Sequence, residues 1–194
     1  MVISAAEPGD ASHEQPLQTP WTFWFDRITP DVPYINALQR LGTVHTVQGF
    51  WRYYCNLTRP GQLMPGDNYH FFRGGMQPAQ ETLPSGGCWF YRIQIAKGDH
   101  CDVEVNRLWE TLLLTIVGES IGEPCVVGAS ISMRSNEIVL ATWCRKHEDY
   151  DGAVKRIGQQ LQSVFGPGSE AKLKWLSTKV KAPPVAISTA KTEM

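Results

Sequence analysis

The sequence predicts an α+β domain: an antiparallel sheet with helices packed on one face. Strand-like segments come in neighbouring pairs separated by single helix-like segments, and the chain shows neither βαβ alternation nor a glycine-rich phosphate loop. With 194 residues, 42% of them hydrophobic, the chain can bury a sizeable core without disulfides or metal. One face of such a sheet stays free for a ligand.

The first element is read in "QPLQTPWTFWFDR", Gln15 to Arg27. On a strand, Trp21, Phe23 and Phe25 share one face while Thr22, Trp24 and Asp26 share the other, so the rings supply core and strand floor. Strand patterns cover 19 to 26, 67 to 73, 87 to 96, 125 to 133, 137 to 145 and 171 to 178, with a shorter one near 41 to 45. "RSNE" reads as the tight turn of a hairpin between the 125 to 133 and 137 to 145 strands. In "TVQGFWRYYCNLT", Val47, Phe50, Trp51, Tyr54 and Leu57 fall at helical spacing behind Thr46 as N-cap. A second helix starts at Asp102 as N-cap, runs a stripe through Val105, Leu108, Trp109, Leu112 and Ile116, and stops near Gly118. The third carries Tyr150, Val154, Ile157, Leu161 and Phe165 and ends at Gly166-Pro167. Residues 1–14 and 180–194 read as mobile tails around a domain at 15–179.

A formal net charge of -1 provides no global basic field for long nucleic acid, so any nucleic-acid contact must be local. Five cysteines form no CxxC pair and no Cys/His cluster, which predicts a reducing compartment and no zinc. No leader-like segment or run of 18 apolar residues occurs, so a cytosolic or nucleocytoplasmic protein is expected. Neither a cofactor nor a metal is expected. "GDHC" sets His100 beside Cys101, but adjacent side chains usually diverge, and no G-x-S-x-G or H-E-x-x-H pattern exists. The informative residues lie in loops and at strand ends. Tyr34 follows the proline-rich "ITPDVPYIN", Glu81 closes "GGMQPAQE", and Arg134 ends a strand; together they could read a cationic purine carrying phosphates.

The pieces "PLQTPWTFWF", "VQGFW", "LMPGDNYHFF", "GGCWF", "LWETLLLTIVGES" and "VVGASISMR" resemble the translation initiation factor 4E family, over roughly three quarters of the chain. That family binds the 7-methylguanosine cap of messenger RNA on a curved antiparallel sheet backed by three helices. The resemblance implies that Tyr34 stacks on the methylated base, where Trp is more usual; the other reading is a ring packing the loop onto the sheet. It puts Gln80 at the second clamp position, where an aromatic is usual, and makes Glu81 the acceptor for guanine N1–H and N2–H2. It brings Trp143 to the N7-methyl group, against the reading of a core Trp, and Arg134 to the cap phosphates. Another family phosphate ligand falls on Cys88, which cannot do that job; Arg92, Lys172, Lys174 and Lys179 are candidate replacements.

On the opposite surface the resemblance implies a docking site at Pro16, Val47, Trp51 and Leu114. Its partner is a helix of the form Tyr-x-x-x-x-Leu-hydrophobic from a 4G-type scaffold or a 4E-binding protein. Glu110 or Thr111 takes the acidic contact there. Initiation through cap binding is the expected function, in a divergent paralogue from a lineage such as the kinetoplastids. The alternatives are a cap-binding repressor, a module that has lost the slot, or an enzyme on capped RNA or nucleotides using His100, Cys101 or Asp102.

Overall fold

The aromatic run near the N-terminus splits across a strand, β1 (Pro16–Arg27), as period two requires. Trp21 and Phe23 are buried in the main core, whereas Trp24 packs with Phe72 and Val127 on the other side of the sheet. The computed structural model describes residues 14–79, 86–95, 102–146, 148–170 and 172–178.

After β1 come a one-turn helix α1 (Tyr34–Ala37), β2 (Gln39–Thr46) and α2 (Val47–Asn56). A 3-10 turn (Pro60–Gln62) leads into β3 (Asp67–Arg73) and β4 (Gly86–Gln94). The chain continues through α3 (Asp102–Val117), β5 (Val126–Met133), β6 (Glu137–Arg145), α4 (Tyr150–Phe165) and β7 (Leu173–Thr178). The seven strands form one sheet in the order β2-β1-β3-β5-β6-β4-β7, every described pairing antiparallel.

Core residues of α2, α3 and α4 pack against one face of this sheet. Trp21 stacks on Phe71 at 5.2 Å between ring centroids, Phe23 lies 4.4 Å from Phe71, and Leu108, Leu112, Ile157 and Leu161 close the layer. Thr46 caps α2 as its sequence implies, accepting a hydrogen bond from the Gly49 amide at 3.0 Å. Three expectations shift. Tyr34 opens a helical turn rather than a simple loop, Asp102 is the first residue of α3 rather than its cap, and the weak strand near 41 to 45 is a full edge strand. The last gains its length from pairing with β1, which a single strand's pattern does not carry.

The other face is open, and register fixes what lines it. Directly paired residues share a face, so Thr22, Phe72, Gly128, Trp143 and Cys88 form one row across the sheet. Trp24, His70, Ser130, Ala141 and Phe90 form the next, and Asp26, Asn68, Ser132, Val139 and Arg92 the third.

Candidate nucleotide site on the open face

These rows floor a cavity of about 480 Å³ whose lining includes Tyr34, His70, Phe90, Ser130, Arg134 and Trp143. Trp143 is half-buried. Its indole Nε1–H donates to Ser130 Oγ at 2.8 Å, and its ring meets Phe72 edge-on at 5.7 Å. Its register neighbour is Gly128, where an added Cβ would sit 2.6 Å from the Phe72 ring, so only glycine leaves room for this packing. Trp143 therefore belongs to the cavity wall and not to the main core.

Tyr34 stands on the opposite side, projected by α1, with 41% of its surface exposed. Its hydroxyl donates to the Pro78 carbonyl at 2.7 Å, which ties the ring to the segment running toward Gln80. Gln80 and Glu81 lie outside the described residues, as do His13, His100, Cys101, His147 and Lys179.

Arg134 follows β5 in the turn closed by its amide on the Glu137 carbonyl, and its guanidinium reaches Glu137 Oε1 at 2.8 Å. Arg92 from β4 reaches the same oxygen at 2.7 Å. Hydrogen bonding from Arg92 holds the Glu137 carboxyl below its ordinary value, with desolvation opposing and Arg134 adding to the effect. The two guanidinia and one carboxylate leave net positive charge at the cavity edge, suited to phosphate. Cys88 lies on the same face in register with Trp143, and burial pushes its thiol up to about 12, so it stays neutral and cannot pair an anion. Lys174 is exposed on the open face opposite Phe90, while Lys172 sits over the core-facing Tyr91 ring at 5.7 Å.

Beneath Tyr34 the floor is polar. His70 Nε2 lies 2.6 Å from Asp26 Oδ1, and Asn68 Nδ2 donates to Asp26 Oδ2 at 2.7 Å. The His70 and Asp26 side chains are only 7% and 2% exposed. Sequence reasoning did not connect them, although Asp26 falls on the face opposite Phe25 and His70 interrupts an otherwise apolar stretch of "NYHFF".

On the helical side, Val47, Trp51 and Leu114 are 36%, 37% and 38% exposed, and Pro16 is exposed too. Glu110 accepts the Tyr54 hydroxyl at 3.0 Å and lies 3.8 Å from Arg59, which joins α2 to α3. Burial and Glu110 raise the Tyr54 phenol above its ordinary value. Thr111 instead bonds back to the Arg107 carbonyl of its own helix. No group of three or more metal-type ligands occurs among the described residues, and no helix among them is long and apolar enough to cross a membrane.

A family model described as eukaryotic initiation factor 4E matches residues 16–191. The chain belongs to the eukaryotic initiation factor 4E family. Among 4E-family relatives, it is 31% identical over 147 residues to the Arabidopsis thaliana eukaryotic translation initiation factor NCBP, covering 73% of this chain and 63% of that one. It is 30% identical over 162 residues to the human eukaryotic translation initiation factor 4E type 1B, covering 78% and 66%. The match thus spans less than two thirds of either 4E relative. The solved complex of Caenorhabditis elegans eIF4E-3 with the 4E-binding protein Mextli and a cap analog superposes with a TM-score of 0.75 at 25% identity, covering 84% of this chain and 92% of that one.

Proposed function

We propose that this chain binds the 7-methylguanosine 5′ cap of messenger RNA in the open-face cavity and recruits a 4G-type scaffold through its helical side, in translation initiation. The observation that carries this reading is that Tyr34 and Trp143, distant in sequence, line one cavity of a 4E-family sheet. The C. elegans relative's complex with a cap analog and a 4E-binding protein supports it.

The chemistry follows from the residues. Methylation at N7 makes guanine cationic, and stacking on the electron-rich Tyr34 ring contributes about 0.5 to 2 kcal/mol that unmethylated guanine lacks. Trp143 packs against the methyl group. Glu81 takes the N1–H and N2–H2 pair with two acceptor oxygens, which selects guanine over adenine. Gln80 offers an amide plane where a second ring is usual, so a minimal cap binds more weakly by about one stacked base, roughly 1 to 3 kcal/mol. Arg134 and Arg92 exchange Glu137 for phosphate oxygens.

Val47, Trp51 and Leu114, with Pro16, form the docking site for a Tyr-x-x-x-x-Leu-hydrophobic helix. The chain acts as a binder without turnover, in the cytoplasm, through a domain at 15–179. An intrinsic-tryptophan fluorescence titration tests the reading: 7-methyl-GTP quenches saturably, GTP much less, and Glu81→Ala loses the difference. Equal quenching by both nucleotides would refute it.

A further inference from the structure

The polar floor under Tyr34 is not used by the base clamp. A carboxylate only accepts hydrogen bonds, so the 2.6 Å contact between His70 and Asp26 assigns the hydrogen to His70 Nε2. In the neutral form of the imidazole, Nδ1 then carries a bare lone pair. That atom is buried and has no hydrogen-bond partner among the described residues. The ring centroids of Tyr34 and Phe72 lie 6.4 Å from that of His70, and Trp24, the register neighbour on β1, has a buried indole N–H that is also unpaired among the described residues and does not bond to it. Ser130, the neighbour on β5, accepts from Trp143, and its own hydroxyl hydrogen makes no bond to His70 Nδ1. Yet His70 and Asp26 both line the cavity rather than the packed core. A buried acceptor at the floor of an open site can take a donor from a bound ligand.

We propose that His70 is a specificity-determining residue whose Nδ1 accepts a hydrogen bond from a ribose hydroxyl of the bound nucleotide, with Asp26 as the positioning residue that fixes its tautomer. The inference rests on the cap-binding reading and extends it. A 7-methylguanosine nucleotide carries few donors: N1–H and N2–H2 on the base, and the 2′ and 3′ hydroxyls on the sugar. Glu81 is assigned the base pair of donors, which leaves the sugar for His70. Asn68 orients the second Asp26 oxygen, so the carboxylate cannot rotate away from the imidazole.

The test is a fluorescence titration of the full chain with 7-methyl-GTP, its 2′-deoxy and 3′-deoxy forms, and GTP, in the natural protein, His70→Gln and Asp26→Asn. Removing one of the two hydroxyls should weaken binding to the natural protein about tenfold, and the 2′ and 3′ forms identify which one. Glutamine keeps an amide against Asp26 but has nothing at Nδ1, so His70→Gln should bind 7-methyl-GTP about tenfold more weakly and treat the deoxy forms alike. Asp26→Asn should lose the same discrimination while still preferring 7-methyl-GTP to GTP, a change that mere loosening of the fold would not produce. If the natural protein prefers 7-methyl-GTP yet binds both deoxy forms equally well, the His70 assignment falls and the cap reading stands. Failure to prefer 7-methyl-GTP over GTP removes both.

Discussion

Trp143 reaches the cavity because the residue beside it on β5 has no side chain. Gly128→Ala would drive a methyl group into the Phe72 ring, which in turn supports the Trp143 edge. We expect a loss of about 1 to 3 kcal/mol in urea unfolding together with weaker 7-methyl-GTP binding. Trp143→Leu should separate the two effects. The half-exposed ring contributes modestly to stability, but its removal should cost about 1 to 3 kcal/mol of ligand affinity, measured by calorimetric titration. Tyr34 could be singled out from the sequence because a ring on a proline-rich loop is conspicuous, whereas Trp143 was marked only by the family resemblance and its alternating strand also suited a core residue. Asp26 and His70 could not. They are brought together only by the β1–β3 register, which a period-two pattern leaves open by any even shift. Arg134 was legible as a turn residue, but its sharing of Glu137 with Arg92 depends on β4 pairing with β6.

In the proposed reading the β5–β6 hairpin serves the cap and α2 the partner helix, and each can be altered separately. If cap phosphates bind Arg134 and Arg92 as proposed, Glu137 competes with them, so Glu137→Gln should raise affinity for 7-methyl-GTP relative to 7-methylguanosine by about 0.5 to 1 kcal/mol, with a steeper salt dependence. On α2, the Thr46 hydroxyl takes up the free Gly49 amide and donates to Glu14 at 2.7 Å. Thr46→Ala should cost about 1 kcal/mol in denaturant unfolding and weaken docking of a Tyr-x-x-x-x-Leu-hydrophobic peptide, while leaving cap binding unchanged. Element bounds were readable where local chemistry is strong. α2 and α4 follow their apolar stripes, and β6 spans its predicted residues. β2 was faint because its apolar residues are few and its neighbour supplies the pairing. α1 was missed because a four-residue helix has too few positions to show a period.

For the molecule as a whole, the bond between Arg27 and Asp67 fastens one end of the β1–β3 ladder. Asp67 is buried, pairs with Arg27 Nε at 2.5 Å and Nη2 at 3.0 Å, and accepts the Met64 amide. Hydrogen bonding from Arg27 holds its carboxyl below the ordinary value, against the effect of burial. A carboxyl lowered in the folded state stabilises it above the unfolded value of about 3.9, and that contribution is lost as pH falls through the folded value. Urea midpoints should therefore drop below about pH 4, and Asp67→Asn should flatten that part of the profile while lowering the plateau at neutral pH. Strand order has a further effect, on synthesis. Among the described residues β4 pairs only with β6 and β7, so residues 95 to 136 must be added before its first partner begins. On the ribosome, both of its edges stay bare during that interval, in need of shielding from neighbouring chains. A nascent chain halted there already holds Tyr34 and His70 but lacks Trp143, so in the proposed reading ligand capture starts only once the β5–β6 hairpin has left the exit tunnel.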